Sequence, residues 1–197
     1  MARGKAVFTE SVKNILKRYF IDAMGAMTLG IFVSLIIGTI IEQIFKIPAL
    51  SKYDHLLLIA EQIKSVTGAA IGVSVAWGLK ASPLVIFSSA ATGMIGYTLG
   101  GPIGGFLAAV IGSEIGNLLA GRTSLDIVIT PIVTIATGGL VGVFAGPYIN
   151  GFMSEVGTFI NNVTDLNPIF MGIIVAVVIG MIFTTPLSAA AICISIN

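Results

Sequence analysis

The stretch ASPLVIFSSAATGMIGYTLGGPIGGFLAAVIGSEIGNLLAG, residues 81–121, decides the class of fold, because Glu114 is its one charged residue. A helix needs roughly 20 consecutive apolar residues to cross the hydrocarbon core of a bilayer. This run is long enough for two such helices. Ser82-Pro83 opens the first helix, and Gly100-Gly101-Pro102 predicts a tight turn with the proline at the start of a second helix. The stretch therefore predicts two membrane spans, 82–99 and 102–120.

The composition of the whole chain agrees with a membrane protein. Only 10% of its 197 residues are charged, whereas about 25% are charged in soluble domains. Three further uncharged runs, 23–41, 127–154 and 166–197, show none of the short alternating segments of a β-barrel. We therefore expect an all-α, polytopic transmembrane helical bundle with about six spans. The predicted spans are 21–45, 66–79, 82–99, 102–120, 127–148 and 168–190.

The short span 66–79 leaves a second interpretation open. It could be half of a re-entrant hairpin, a broken segment that is tolerated only where it is buried in protein or lines a cavity. Transporters use such segments to build binding sites. The preceding segment, 46–65, is expected outside the membrane.

Basic residues predict the orientation of the chain. The positive-inside rule places the N-terminus in the cytoplasm, because five of the ten basic residues precede the first apolar run.

Residues 7–20 have apolar positions at helical spacing and basic positions opposite. This pattern predicts an amphipathic helix on the cytoplasmic membrane surface, with a basic leader of chance periodicity as the alternative. The predicted division is a surface helix over 1–20 and a transmembrane domain over 21–197. Because the chain stops inside an apolar run, we expect this domain to be the N-terminal part of a longer one.

Glycines form stripes at helical spacing. Small residues four apart let membrane helices approach closely, so the stripes predict a tightly packed bundle, with a subunit interface as a further use for some of them. The stripes are Gly68 and Gly72; Gly101, Gly105, Gly112 and Gly116 with Ala108 or Ala109 and Ala120; and Gly138, Gly142 and Gly146.

Glu114 and Asn117 are the main candidate substrate-binding residues. On a helical wheel Glu114 lies nearly opposite the glycine stripe, and Asn117 is its neighbour three residues on. An ionised carboxylate facing lipid is costly, so Glu114 is expected to face protein or a cavity. A carboxylate beside an amide can accept from and donate to the hydroxyls of a sugar or polyol. The alternative is a structural acceptor, for example one paired with Arg122.

Thr130 and Thr185 are weaker candidates for the same site, because hydroxyls in membrane helices commonly bond to their own backbone. No catalytic, metal or cofactor site is predicted. His55 and Cys193 are the only histidine and cysteine in the chain, and no phosphate loop or nucleophile motif is present. No basic stripe for nucleic acid is present either.

Several stretches carry a resemblance to a known family. They are RYFIDAMGAMTLGIFVSLIIGTI (18–40), GAAIGVSVAWGLKASPLVIFSSAATG (68–93), LGGPIGGFLAAVIGSEIGNLLAGRTSLDIVITP (99–131) and MGIIVAVVIGMIFTTPLSAAAICISI (171–196). The chain resembles the membrane subunits called enzyme IIC of the bacterial phosphotransferase system, in their stand-alone, enzyme-IIC-like type. The resemblance implies the bacterial cytoplasmic membrane, a homodimer, and transmembrane helices with re-entrant hairpins.

The resemblance also implies inward movement of a sugar that cytoplasmic phosphocarrier domains phosphorylate. Typical members pair a glutamate with a histidine at the sugar, whereas His55 lies in a predicted outer segment. No catalytic residue is therefore carried over, and enzymatic activity is left open. Two functions are considered. The first is a carrier of a small polar solute. The second is a transporter-like receptor or regulator that binds a small molecule or lipid and acts on a cytoplasmic partner.

Overall fold

The structure, a computed structural model, describes residues 14–47 and 54–164 together with Gly172 and Ala176. This part of the chain contains five helices, and three of them contain stretches long and apolar enough to cross a membrane: Asn14–Phe45, Pro83–Leu119 and Asp126–Glu155. These stretches confirm the predicted class of helical membrane protein. The predicted span 168–190 lies almost wholly outside the described residues. In chain order, the helices are α1 (Asn14–Phe45), α2 (Asp54–Ser65), α3 (Thr67–Gly78), α4 (Pro83–Leu119) and α5 (Asp126–Thr164).

Helix α4 is a hairpin of two antiparallel arms, 83–99 and 102–119. Two glycines break it: Gly100 has φ −137° and ψ 16°, and Gly101 has φ 63° and ψ −159°. The backbone of Gly101 lies in a region that is essentially restricted to glycine. Across the arms, the hydroxyls of Ser89 and Ser113 lie 3.0 Å apart. The hairpin confirms the turn and the two helices that the sequence predicts here.

The short helix α3 is the second half of a longer helical unit, residues 54–78, which we call the limb. Its 12 residues span about 18 Å at 1.5 Å per residue, which is less than the hydrocarbon core. However, α2 precedes it directly, with a bend at Val66 (φ −88°, ψ 8°). The limb runs antiparallel to α1, since Gly38 packs on α2 near Ala60, and Gly30 packs on α3 near Ala70. Residues 54–65, expected outside the membrane, therefore extend the limb along α1.

Glycines bring the helices into backbone contact. A Cβ on Gly93 of the first arm would lie 2.5 Å from the Cα of Gly72 on α3. On α5, a Cβ on Gly142 would lie 3.1 Å from the Cα of Gly96. The second arm also meets α5, because a Cβ on Gly112 would lie 3.1 Å from the Cα of Gly138. The glycines of the predicted stripes thus pack inside this chain, with α3 and α5 on different faces of the hairpin. Gly101 is the exception, because it lies in the turn and no atom lies within 4 Å of a Cβ there.

Two helices extend beyond the predicted spans. Helix α1 is continuous from Asn14, so the described part of the predicted surface helix, 14–20, leads directly into the first span. The remainder of that segment, 1–13, lies outside the described residues. Helix α5 continues past Tyr148 to Thr164, with Pro131 and Pro147 inside it. A fall in hydropathy marks where a helix leaves apolar surroundings, whereas hydrogen bonding decides where it ends.

We expect Gly93→Ala to destabilise the bundle by about 1–3 kcal/mol, because the new methyl group meets the backbones of Gly68 and Gly72 and cannot be relieved by a rotamer change. Thermal melting of the detergent-purified protein measures the loss. Gly151→Ala is the matched control, since no atom lies within 4 Å of a Cβ there. Equal melting temperatures for the two variants would contradict the close packing of α3 on the hairpin.

Candidate functional site

Glu114 lies in the second arm of the hairpin, about one and a half turns before the arm ends at Leu119. One of its oxygens, Oε1, accepts from two residues of α1. The guanidinium of Arg18 lies 2.8 Å from Oε1, and the hydroxyl of Tyr19 donates to the same atom over 3.1 Å. The Arg18 side chain is 46% exposed and that of Glu114 is 29% exposed. The carboxylate therefore contacts protein, one of the two surroundings that the sequence analysis expected, and is also partly open at the surface.

A widened turn of α1 holds both of these donors. Arg18 and Tyr19 lie in the π-helical segment Lys17–Ala23. Its hydrogen bonds join residues five apart instead of four, and such turns are frequent at functional sites. A second π segment, Phe32–Ile36, lies further along α1. The guanidinium carbon of Arg18 also lies 6.0 Å from the centroid of the Tyr19 ring, within the range of a cation–π contact. Two adjacent residues thus converge on one carboxylate.

Asn117 lies one turn beyond Glu114 and joins the two arms of the hairpin. Its Oδ1 accepts from the backbone N–H of Ser82 over 3.0 Å. Ser82 is the N-cap residue of α4, and its own side chain makes no capping bond. Among the described residues, the Ser82 hydroxyl is buried and has no hydrogen-bond partner. Asn117 thus accepts, from the other arm, the N–H of the N-cap residue itself, which in a capping box bonds to the side chain at N3.

The threonine candidates have different surroundings. Thr130 is fully buried, and its hydroxyl donates to the Asp126 carboxylate one turn earlier in α5. Its carbonyl accepts from Thr134 over 2.8 Å. Its polar atoms are thus engaged within α5. Thr185 lies outside the described residues, so its place in a site stays a prediction.

The structure thus brings Glu114 and Asn117 to one end of the bundle, which we call the Glu114 end. Glu114 pairs with Arg18, whereas Arg122, the partner considered as a structural alternative, is exposed. Sequence reasoning did not select Arg18 or Tyr19 for the site. The sequence analysis counted Arg18 only as a cytoplasmic charge. The start of one helix and the end of an antiparallel helix lie at the same end of a bundle, so the positions of Arg18 and Glu114 were consistent with an ion pair.

The other end of α1 carries a second ionic cluster. Glu42 pairs with Lys46 over 2.6 Å and, through its other oxygen, with Lys64 at the end of α2. Both oxygens of this carboxylate are engaged by lysines. This cluster fastens α2 to α1. It offers a solute fewer free hydrogen-bond acceptors than the Glu114 end does.

An open groove lies between α1 and α3. Its walls are apolar, and the one hydroxyl among its lining residues, that of Ser74, donates to the carbonyl of Ile71 over 3.0 Å. A polar solute would lose its hydrogen bonds to water there without replacement. Among the described residues no group of three or more His, Cys, Asp and Glu side chains could hold a metal ion. The polar chemistry of the described bundle is therefore richest at the Glu114 end.

The comparison with protein families agrees with the helical membrane architecture. The family described as Phosphotransferase system, EIIC matches residues 21–197. The chain belongs to this family, which confirms the resemblance inferred from the sequence and supports a function of the membrane sugar-transporter type. No curated protein and no solved structure gave a significant match.

We expect Asn117→Leu to lower the free energy of unfolding by about 1 kcal/mol, because the Ser82 N–H loses its acceptor. Asn117→Asp keeps an oxygen at that position and is expected to retain most of the stability. Thermal melting in one detergent compares the two variants with the parent. If the leucine and aspartate variants melt together, the Asn117–Ser82 bond does not stabilise the hairpin.

Proposed function

We propose that this protein is the membrane carrier of a bacterial phosphotransferase system and that it moves a small carbohydrate or polyol across the cytoplasmic membrane. The observation that carries the proposal is the match of the enzyme IIC family over residues 21–197. The solute binds at the Glu114 end, with Glu114 and Asn117 as its main contacts.

The hydrogen-bonding inventory of the Glu114 end supports a polyhydroxyl ligand. The Glu114 carboxylate can accept several hydrogen bonds, and a solute hydroxyl can take the place of the Tyr19 hydroxyl at Oε1. The Asn117 oxygen is engaged by Ser82, whereas its NH₂ group can donate to a solute oxygen. The Arg18 guanidinium has five N–H donors, of which the Glu114 contact needs few. Hydrogen bonds to a charged group are about twice as strong as neutral ones, so Glu114 dominates the proposed affinity.

The proposed orientation places the Glu114 end at the cytoplasmic face. The basic residues before and at the start of α1 favour this side, and Lys80 and Arg122 lie at the same end of the hairpin. A cytoplasmic phosphocarrier protein could then reach the solute where it leaves the bundle. We further propose a homodimer, as the resemblance to enzyme IIC implies. The alternative of a non-transporting receptor has no specific observation in its favour.

The experiment is uptake of labelled sugars and polyols by proteoliposomes that contain the full-length protein and the purified phosphocarrier proteins. A thermal-shift screen chooses the solutes, because a ligand stabilises the folded state in proportion to RT ln(1 + [L]/Kd). We expect saturable uptake by the parent. Glu114→Gln should weaken apparent affinity by about 10- to 100-fold, the effect of losing about 1.5–3 kcal/mol from a charged hydrogen bond.

Glu61→Gln is the matched control, because it also removes one carboxylate charge, from an exposed position on α2. Its uptake is expected to equal that of the parent. The proposal would be wrong if no tested solute were accumulated, or if the Glu114 and Glu61 variants behaved alike.

A further inference from the structure

The first turns of α1 are packed differently from the rest of the helix. We call residues 14–20 of α1 the arm, which is distinct from the two arms of the hairpin α4. Within the arm Tyr19 is partly buried, whereas all of its other residues are exposed, among them Ile15 (55%), Leu16 (51%) and Phe20 (50%). Beyond the arm, Ala23 and Met27 belong to the buried core with residues of α3. The arm is therefore the part of α1 that the bundle holds least.

The remainder of α1 is fixed to its neighbours. A Cβ on Gly78 of α3 would lie 2.5 Å from the Cβ of Ala26 and 2.8 Å from the carbonyl oxygen of Asp22, so the two helices touch there. At its far end α1 is fastened to α2 by the contact between Glu42 and Lys64. A movement of α1 relative to the hairpin is thus restricted to residues before Asp22.

The π segment Lys17–Ala23 includes the last four residues of the arm and ends at Ala23, where the packed part of α1 begins. A π turn contains more residues than an α turn, because its hydrogen bonds close over five residues instead of four. Returning the last turn of the segment to α geometry shortens that turn and rotates the residues before it, among them Arg18 and Tyr19, relative to those that follow Ala23. The segment therefore provides a hinge at the point where the tight packing on α3 begins.

Side chains fasten the arm of α1 to residues 102–119 of the hairpin. Arg18 and Tyr19 both reach Glu114 Oε1, whereas the backbone of α1 packs mainly on α3. Both members of the ion pair are partly exposed, and ion pairs of this kind are weak. Tyr19 also packs against the core, so opening this contact withdraws its ring from the bundle as well, whereas the other residues of the arm are exposed.

We propose that the arm is a hinged cover of the Glu114 end and that the contacts of Arg18 and Tyr19 with Glu114 are its latch. In the closed state the latch occupies the carboxylate to which a solute would bind. A solute hydroxyl that takes the place of the Tyr19 hydroxyl weakens the latch and lets the arm swing away about the π segment. The use of this movement for passage of a solute rests on the proposed function, whereas the movement itself does not.

The test measures distances between spin labels in the full chain, reconstituted in lipid nanodiscs with Cys193→Ser as the background. One label pair joins the arm to the hairpin through cysteines at Lys17 and Leu118, two exposed positions outside the latch. A second pair joins Ile40, in the α-helical part of α1 beyond both π segments, to Leu118. We expect Arg18→Gln to lengthen and broaden the first distance by several ångströms, since Lys17 lies about 9 Å along the helix from Ala23 at 1.5 Å per residue. The second distance should not change.

Two further variants test whether the change in the first distance comes from loss of the Arg18–Glu114 ion pair. Arg18→Glu combined with Glu114→Arg restores opposite charges and should return the first distance to its narrow parental value. Arg122→Gln removes a basic residue at the same end, outside the latch, and should leave both distances as in the parent.

An unchanged first distance in Arg18→Gln would overturn the proposal. So would equal changes in both label pairs, which would show a general loosening, or a charge exchange that fails to restore the closed distance. These results are independent of the uptake experiment. Absence of uptake with an intact latch would count against the carrier, and uptake with an immobile arm would count against the latch alone.

Discussion

Close contact between glycine backbones holds the described bundle together. Lipid tails are as apolar as leucine side chains, so burying apolar surface drives helices together far less in a bilayer than in water. Attraction must come from dense van der Waals contact and from hydrogen bonds between helices. Gly72 against Gly93 and Gly96 against Gly142 provide the dense contact, and Ser89 with Ser113 provides a hydrogen bond across the hairpin. The arrangement of α3 and α5 around the hairpin depends on these small residues.

The same constraint explains where the charged groups lie. Helix interiors that touch through glycine leave no room for long side chains, and unpaired charges at membrane depth are costly. The ionic contacts of α1 therefore lie near its two ends, Arg18 with Glu114 and Glu42 with Lys64. The two contacts differ in consequence. Glu42 joins segments that are also packed along their length, whereas Arg18 joins the exposed start of α1 to a helix that α1 otherwise meets little.

Much of the fold could be predicted because its signals are local. The turn at Gly100-Gly101-Pro102 and the glycine stripes of α3 and α5 are visible in the sequence and are confirmed. The extents of α1 and α5 were less predictable, since hydropathy reports the surroundings of a helix and not its hydrogen bonds. Within the site, Glu114 was selected as an isolated charge in an apolar run. Its partners Arg18 and Tyr19 lie about ninety-five residues away in the chain, and no local pattern connects them.

The amino-acid sequence by itself determined that this chain enters a membrane as helices, where its hairpin turns and which small residues face other helices. These properties follow from composition and from the period of a helix, so each can be evaluated along one segment. The tertiary structure decided which side chains meet. Asn117 accepts from Ser82, α2 extends the short α3 along α1, and a π segment aims two adjacent residues at one carboxylate. Such contacts depend on the relative placement of separate helices, which close packing sets and a single segment does not encode.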